Sequence, residues 1–175
     1  MTRARGALLA AGAVAIACGS APDAGELPRG VPARASAASF RDAGVSLVVE
    51  RRCGTLDCHG TAARNLRVYS SQGLRLPNGA GRVPGQGDTT PDEITASYQS
   101  LLTLEPEATQ RLLDGGDPYD LLIVRKPLEI ESHKGGPAMR RGDDVERCIV
   151  SWLREELAAP VDAGACKRAA AFPKE

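Results

Sequence analysis

Apolar residues recur at helical spacing in several short segments of the chain, and turn residues separate these segments. From Ser39 to Arg52 the apolar positions share one stripe, which predicts a helix that leads into the next cysteine. A further helix is predicted from Thr90, where a threonine cap precedes a proline and a glutamate follows three residues after the cap. Shorter apolar runs predict helices after Pro106 and Pro118, the former burying Leu112 and Leu113.

The last apolar pattern predicts a helix that begins at Asp143 or Asp144 and ends before Pro160. Earlier in the chain, the segment from residue 64 to residue 87 is interrupted by glycine, proline and asparagine, and it predicts loops with a short strand candidate at residues 66–69. Because every long pattern is helical, the predicted fold class is all-α, a small helical domain with long loops.

The first residues have the pattern of an export signal. Arg3 and Arg5 precede a nearly uncharged run that is too short to span a bilayer. The run closes as Ala-Ile-Ala-Cys18, which resembles the lipobox of bacterial lipoproteins, in which the cysteine is acylated. We therefore expect residues 1–18 to be a lipoprotein signal segment; the alternative is an ordinary signal peptide cleaved at small residues, with Cys18 lost or incidental.

After Cys18, changes in amino-acid composition divide the chain into a linker, a domain and a tail. Residues 19–38 are rich in alanine, glycine, proline and serine without apolar periodicity, which predicts a disordered linker. The helical patterns occupy the predicted domain at residues 39–158, and residues 159–175 form a predicted tail of small and charged residues. An acylated cysteine would hold the protein to a membrane of the cell envelope, as a periplasmic or outer-membrane lipoprotein.

Charge and aromatic content narrow the range of partners. The 22 basic and 22 acidic residues give a formal net charge of zero, so nothing favours a nucleic-acid partner. Aromatic residues make up only 3% of the chain, so aliphatic residues or a bound apolar group must supply the core around the lone Trp152. No nucleophile elbow, phosphate loop or carboxylate pair stands out, and we do not expect an enzyme.

Cysteine usage leaves two accounts open. The chain has five cysteines, and assigning Cys18 to a lipid leaves four that should all be bonded in an oxidising compartment. In one account Cys53 and Cys58 form thioethers with a haem while Cys148 and Cys166 form a disulfide that staples the tail. In the other account both pairs are disulfides and no cofactor is present.

The segment from Cys53 to His59, Cys-Gly-Thr-Leu-Asp-Cys-His, points to haem chemistry. In c-type attachment two thiols add to the haem vinyl groups, and the histidine after the second thiol binds the iron. The adjacency of Cys58 and His59 meets this requirement, whereas the four residues between the cysteines exceed the usual two. His133 and Met139 lie in a glycine-containing loop before the last helix, and each is a candidate for the opposite axial ligand.

The order of these features resembles class I cytochrome c: a helix leading into the Cys53–His59 segment, intermediate helices, a ligand-bearing loop and a terminal helix with Trp152. Four short segments are also similar to cytochrome c-like lipoproteins of soil myxobacteria and planctomycetes, and they are Leu66-Arg67, Lys126-Pro127-Leu128, His133-Lys134-Gly135-Gly136 and the run from Ile149 to Leu153. The resemblance covers about residues 40–157.

This resemblance implies that residues 39–158 are a cytochrome c-like haem domain of an exported monohaem c-type cytochrome. One covalent haem c would be attached to Cys53 and Cys58, with His59 as the proximal iron ligand. At the distal position the resemblance favours His133 over Met139. It further implies electron transfer with a redox protein partner that the sequence does not identify.

Two alternatives stand beside this interpretation. One is a cofactor-free binding or structural lipoprotein stapled by two disulfides. The other is a zinc site formed by Cys53, Cys58, His59 and His133, although adjacent Cys58 and His59 make poor tetrahedral partners.

Overall fold

The computed structural model of the chain describes residues 34–77, 83–156 and 159–171. This part of the chain is mostly helical, and it contains two isolated β-bridges but no strand. The seven helices are α1 (Ala37–Asp42), α2 (Val45–Cys53), α3 (Pro91–Leu102), α4 (Pro106–Leu113), α5 (Leu122–Arg125), α6 (Asp144–Leu153) and α7 (Ala163–Ala171). The helical class predicted from the sequence is therefore confirmed for the described residues.

The predicted signal segment, its Cys18 and the predicted linker up to residue 33 lie outside the described residues. The last five residues of the predicted linker, 34–38, are structured: Ser36 caps α1 by accepting the Ser39 N–H at 3.1 Å. The indole N–H of Trp152 donates to the Ser36 carbonyl at 3.1 Å, which fastens this segment to α6. Within the described ranges, no helix is long and apolar enough to cross a membrane.

The helix predicted from residue 39 to residue 52 is divided in two. Gly44 adopts a left-handed conformation with φ of 83°, which ends the first helical run and lets α2 start at Val45 in a new direction. The predicted apolar stripe is nevertheless buried. Phe40 packs against Trp152 with ring centroids 5.0 Å apart, so α1 and α6 share one core.

Helix α3 begins with the capping box that the sequence predicts, formed by Thr90 and Glu93. Glu93 is also fully buried and forms an ion pair with Arg75, with Nε and Oε1 2.8 Å apart. Arg75 donates further hydrogen bonds to the Gln86 and Asp88 carbonyls at 2.9 Å each. One buried guanidinium therefore holds the long loop against α3.

Three local predictions need correction. The strand candidate at residues 66–69 forms only one bridge, between Tyr69 and Leu74, because the Arg67 and Tyr69 N–H groups donate to serine side chains of α3 and the Val68 N–H donates to the His59 carbonyl. Helix α4 buries Leu112 but leaves Leu113 42% exposed. The helix predicted from residue 118 is a 3₁₀ turn at Pro118–Asp120 followed by the short α5.

The predicted tail belongs to the folded core. Helix α7 lies within it, and a disulfide joins Cys166 of α7 to Cys148 of α6, as the cysteine count led us to expect. Both cysteines are fully buried, together with Ala165, Ala169 and Ala170. Small side chains on this face let α7 pack closely on α6, so the domain extends past its predicted end at residue 158.

Candidate functional site

A cavity of about 780 Å³ lies among α2, α5, α6, the end of α3 and the loops that follow α2 and α5. This volume is in the range of about 300–1,000 Å³ that is typical of ligand and cofactor sites. Apolar side chains from each of these elements form much of its wall, namely Val49, Leu66, Leu101, Leu104, Leu122, Ile123, Ile149 and Trp152.

The structure brings four of the predicted site residues to this cavity. Cys53, Cys58, His59 and His133 all line it, although His133 is separated from the others by more than seventy positions in the sequence. Met139, the other distal candidate, is among the described residues that do not line the cavity, and it is 3% exposed within the hydrophobic core. The structure therefore pairs His59 with His133 across one space.

The two cysteines reach the same cavity because the chain between them folds into a compact loop. The Cys58 N–H donates to the Thr55 carbonyl at 3.0 Å, and the His59 N–H donates to the Cys53 carbonyl at 2.8 Å. Leu56, in the middle of the four intervening residues, is 52% exposed. The residues beyond the usual two are therefore accommodated at the surface, and both thiols still face one site.

Glycines make this compact loop sterically feasible. A Cβ at Gly60 would lie 2.2 Å from the Gly54 carbonyl oxygen, and a Cβ at Gly73 would lie 2.0 Å from the same oxygen. The hydroxyl of buried Ser70 donates to that carbonyl at 2.9 Å. Three segments thus converge on one peptide group, which fixes the position of the loop that holds Cys53 and Cys58.

Neither Cys53 nor Cys58 is part of a disulfide. Burial, followed by the neighbouring Cys58 thiol, raises the pKa of Cys53 to about 12, against a lowering effect of Arg52. Cys53 is therefore a protonated thiol at neutral pH. The site presents two uncommitted sulfurs on one wall.

The imidazole rings of His59 and His133 are nearly parallel, with 7° between their planes and 6.2 Å between their centroids. Two imidazoles that bind one metal ion from opposite sides, each through a nitrogen at about 2 Å, have centroids about 6 Å apart. The spacing and the parallel planes of this pair therefore fit a shared metal ion.

Hydrogen bonds fix the tautomer of each ring. Nδ1 of His59 lies 3.2 Å from the Leu66 carbonyl oxygen, and Nδ1 of His133 lies 2.7 Å from the Gly136 carbonyl oxygen. A carbonyl oxygen only accepts, so Nδ1 carries the proton in both rings, and Nε2 of each ring keeps its lone pair for a metal. Burial lowers the pKa of His59, and nearby His133 and Arg64 add to the effect against the raising influence of the Leu66 carbonyl.

Basic side chains outnumber acidic ones along the wall, where Arg51, Arg52, Arg64 and Lys126 accompany Asp57. Two of these basic side chains also form hydrogen bonds to backbone carbonyls of other segments. Arg51 donates to the Ala170 carbonyl of α7, and Lys126 donates to the Ser132 carbonyl at 3.2 Å, next to His133. Arg141 does not line the cavity and packs over the Tyr119 ring at 3.9 Å.

Sequence inspection found the side chains of this site but not the groups that orient them. The Leu66 and Gly136 carbonyls belong to the backbone, so no residue type marks them in advance. The paired glycines after His133 were the available signal, because Gly136 adopts a left-handed conformation with φ of 73°.

Within the described ranges, no group of three or more histidine, cysteine, aspartate or glutamate side chains is arranged to hold a metal ion. The pair of histidines is thus short of the four ligands that a structural zinc ion takes. Comparison with family models, with curated proteins and with solved structures finds no match to this chain.

Proposed function

We propose that this protein is an exported monohaem c-type cytochrome that transfers electrons and has no enzymatic activity of its own. The observation that carries the proposal is the pair of parallel imidazoles, His59 and His133, with both Nδ1 atoms bound by carbonyls and two uncommitted cysteines on the wall of the same cavity. The fold would then be a cytochrome c-like arrangement of helices around one haem.

The residues of the cavity fit a covalently bound haem. The apolar lining suits a porphyrin face, and Cys53 and Cys58 supply the two thiols that thioether attachment requires. His59 follows Cys58 directly, as the proximal ligand of a c-type haem does. His133 would be the second histidine to hold the iron, whereas Met139 would have to leave the core to reach the cavity.

The chemistry that a bound haem supplies is one-electron exchange between ferric and ferrous iron. His59 and His133 would hold the iron, each through Nε2, and the Leu66 and Gly136 carbonyls that accept from their Nδ1 atoms would keep the rings oriented and increase their basicity. An iron bound by two protein histidines would suit electron transfer rather than substrate binding. Two histidines also set a lower reduction potential than a histidine and a methionine would.

The cell envelope is the proposed location. Cys18 would anchor the protein to a membrane through its lipid, and the segment that follows would let the domain reach a redox protein partner. Attachment of haem c through thioethers and formation of the Cys148–Cys166 disulfide both suit an exported protein. Zero formal net charge is consistent with a partner other than nucleic acid.

Haem attachment is tested by expressing the chain in a bacterial host with c-type attachment enzymes and recording the reduced pyridine haemochrome spectrum after acid extraction. We expect the wild type to retain covalent haem, and a Cys53→Ala/Cys58→Ala variant to lose it. The matched control is Cys148→Ala/Cys166→Ala, which removes the same number of sulfurs away from the cavity and should keep its haem.

A folded, colourless wild-type protein would refute the proposal. If Cys53 and Cys58 were then joined as a disulfide, a cofactor-free lipoprotein stapled by two disulfides would replace it. Haem that is present but extracted by acid would refute covalent attachment while leaving a haem site in place.

A further inference from the structure

Hydrogen bonds to backbone groups close the loop that presents His133, both at its base and at its tip. At its base the N–H groups of Ala138 and Met139 donate to the Pro127 carbonyl at 3.1 and 3.3 Å. At its tip the Gly136 N–H donates to the His133 carbonyl at 3.0 Å, and the Gly136 carbonyl accepts from Nδ1 of His133 at 2.7 Å. Gly136 therefore makes two hydrogen bonds to His133, one through its N–H and one through its carbonyl.

The second of these bonds depends on the backbone conformation of Gly136. Its φ of 73° lies in the left-handed region, which residues with a Cβ enter at a cost. Rotation of residue 136 out of this region would turn its carbonyl away from Nδ1. A Cβ at this position would meet nothing within 4 Å, so the conformation itself, and not crowding, calls for glycine.

We propose that Gly136 is a positioning residue for the distal ligand: its left-handed conformation aims a carbonyl at Nδ1 of His133, which fixes the ring with Nε2 toward the iron. This inference rests on the proposed haem function and adds to it the device that keeps the distal position closed. Met139, which follows the same loop, acts here as the buried anchor of its base and not as a ligand.

Gly142 offers a matched control in the same chain region. Its φ is 80°, and a Cβ on it would also meet nothing within 4 Å, so Gly142→Ala carries the same kind of backbone strain as Gly136→Ala. The Gly142 N–H donates a hydrogen bond to the Glu146 carboxylate at 3.1 Å, and an alanine at this position would keep that N–H. Both variants therefore strain the backbone at one residue, but only Gly136→Ala strains a residue that is hydrogen-bonded to His133.

The experiment measures carbon monoxide binding to the reduced full-length protein, together with the high-spin fraction of its visible spectrum. Carbon monoxide competes with His133 for the distal position, so its binding rate reports how often His133 is released. We expect Gly136→Ala to raise this rate about five- to thirtyfold, the factor that corresponds to the usual left-handed penalty. Gly142→Ala should bind carbon monoxide at the wild-type rate.

Gly136→Asn provides a second variant, since asparagine enters the left-handed region far more readily than alanine. Its rate should fall between those of the wild type and Gly136→Ala. Thermal unfolding of all variants identifies general loosening, which would raise the rates of Gly136→Ala and Gly142→Ala alike.

Equal rates for Gly136→Ala and Gly142→Ala would overturn the role of Gly136 while leaving the haem function standing. Failure of the proposed haem function would give a different result, because the wild-type protein itself would then contain no haem.

Discussion

At the residue scale, the sequence predicted which side chains form the site, and the structure shows which hydrogen bonds orient them. The Cys-His adjacency and the scarcity of histidine pointed to His59 and His133 as ligands, and both line the cavity. Their carbonyl partners and the burial of Met139 could not be predicted, because these depend on how the loop after α2 and the loop between α5 and α6 fold back on themselves. A backbone acceptor has no signature in residue type.

The buried pair Arg75 and Glu93 was also beyond prediction. The sequence showed Glu93 as part of a helix cap, and the structure gives it a second role as the fully buried partner of Arg75. Burial alone would raise the pKa of Glu93, but the Thr90 and Leu76 N–H groups and the Arg75 guanidinium outweigh it and hold that pKa below its ordinary value. The ionised carboxylate is thus the form that the fold requires.

Replacing Glu93 with glutamine should lower the free energy of unfolding by about 3–5 kcal/mol at neutral pH, because Arg75 would remain buried without its counter-charge. The pKa of Glu93 is lower in the folded state, so the unfolded chain binds more protons as pH falls. The difference between wild type and Glu93→Gln should therefore be constant above the ordinary pKa of about 4.5 and shrink as pH falls through the lower folded value. Urea denaturation across this pH range provides the measurement.

Asp42→Asn is the control, since Asp42 forms an ion pair with Arg41 in which both side chains are more than half exposed. We expect no measurable loss of stability from it. A Glu93→Gln protein as stable as Asp42→Asn at neutral pH would contradict the structural role given to the buried pair.

At the element scale, helix starts with a clear capping sequence were predicted correctly, whereas helices with weak apolar periodicity were not. Thr90 and Glu93 form the predicted cap of α3, and α6 begins at Asp144, one of the two predicted start positions, with Asp143 as its cap. Gly44 splits the first predicted helix because its left-handed conformation is a property of one residue within an otherwise continuous stripe. Helix α7 was missed because alanine gives little hydrophobic contrast, and its burial depends on close packing against α6.

The disulfide between α6 and α7 should contribute substantially to stability. Cys148 and Cys166 are 18 positions apart, and closing a loop of that size stabilises a fold by about 3 kcal/mol in the chain-entropy account. Cys148→Ala/Cys166→Ala should lower the free energy of unfolding by about that amount in chemical denaturation, because α7 would lose its covalent link to α6. Equal stability with and without the disulfide would show that packing alone holds α7.

At the scale of the whole molecule, helices and loops of the described residues line a cavity with a largely apolar wall, and the side chains of Cys53, His59 and His133 reach it from distant parts of the sequence. A composition poor in aromatic residues predicted that aliphatic residues or a bound apolar group supply the core, and the wall of this cavity is largely aliphatic. The helical class followed from periodicity. The meeting of the His59 and His133 loops did not, because it is a property of the tertiary fold.

The most direct test of the central claim, one haem iron held between His59 and His133, is low-temperature electron paramagnetic resonance of the oxidised full-length protein. The account predicts a low-spin ferric signal in the wild type and in Met139→Leu, and a high-spin signal in His133→Ala. A high-spin wild type, or a low-spin signal that survives in His133→Ala and is lost in Met139→Leu, would contradict it.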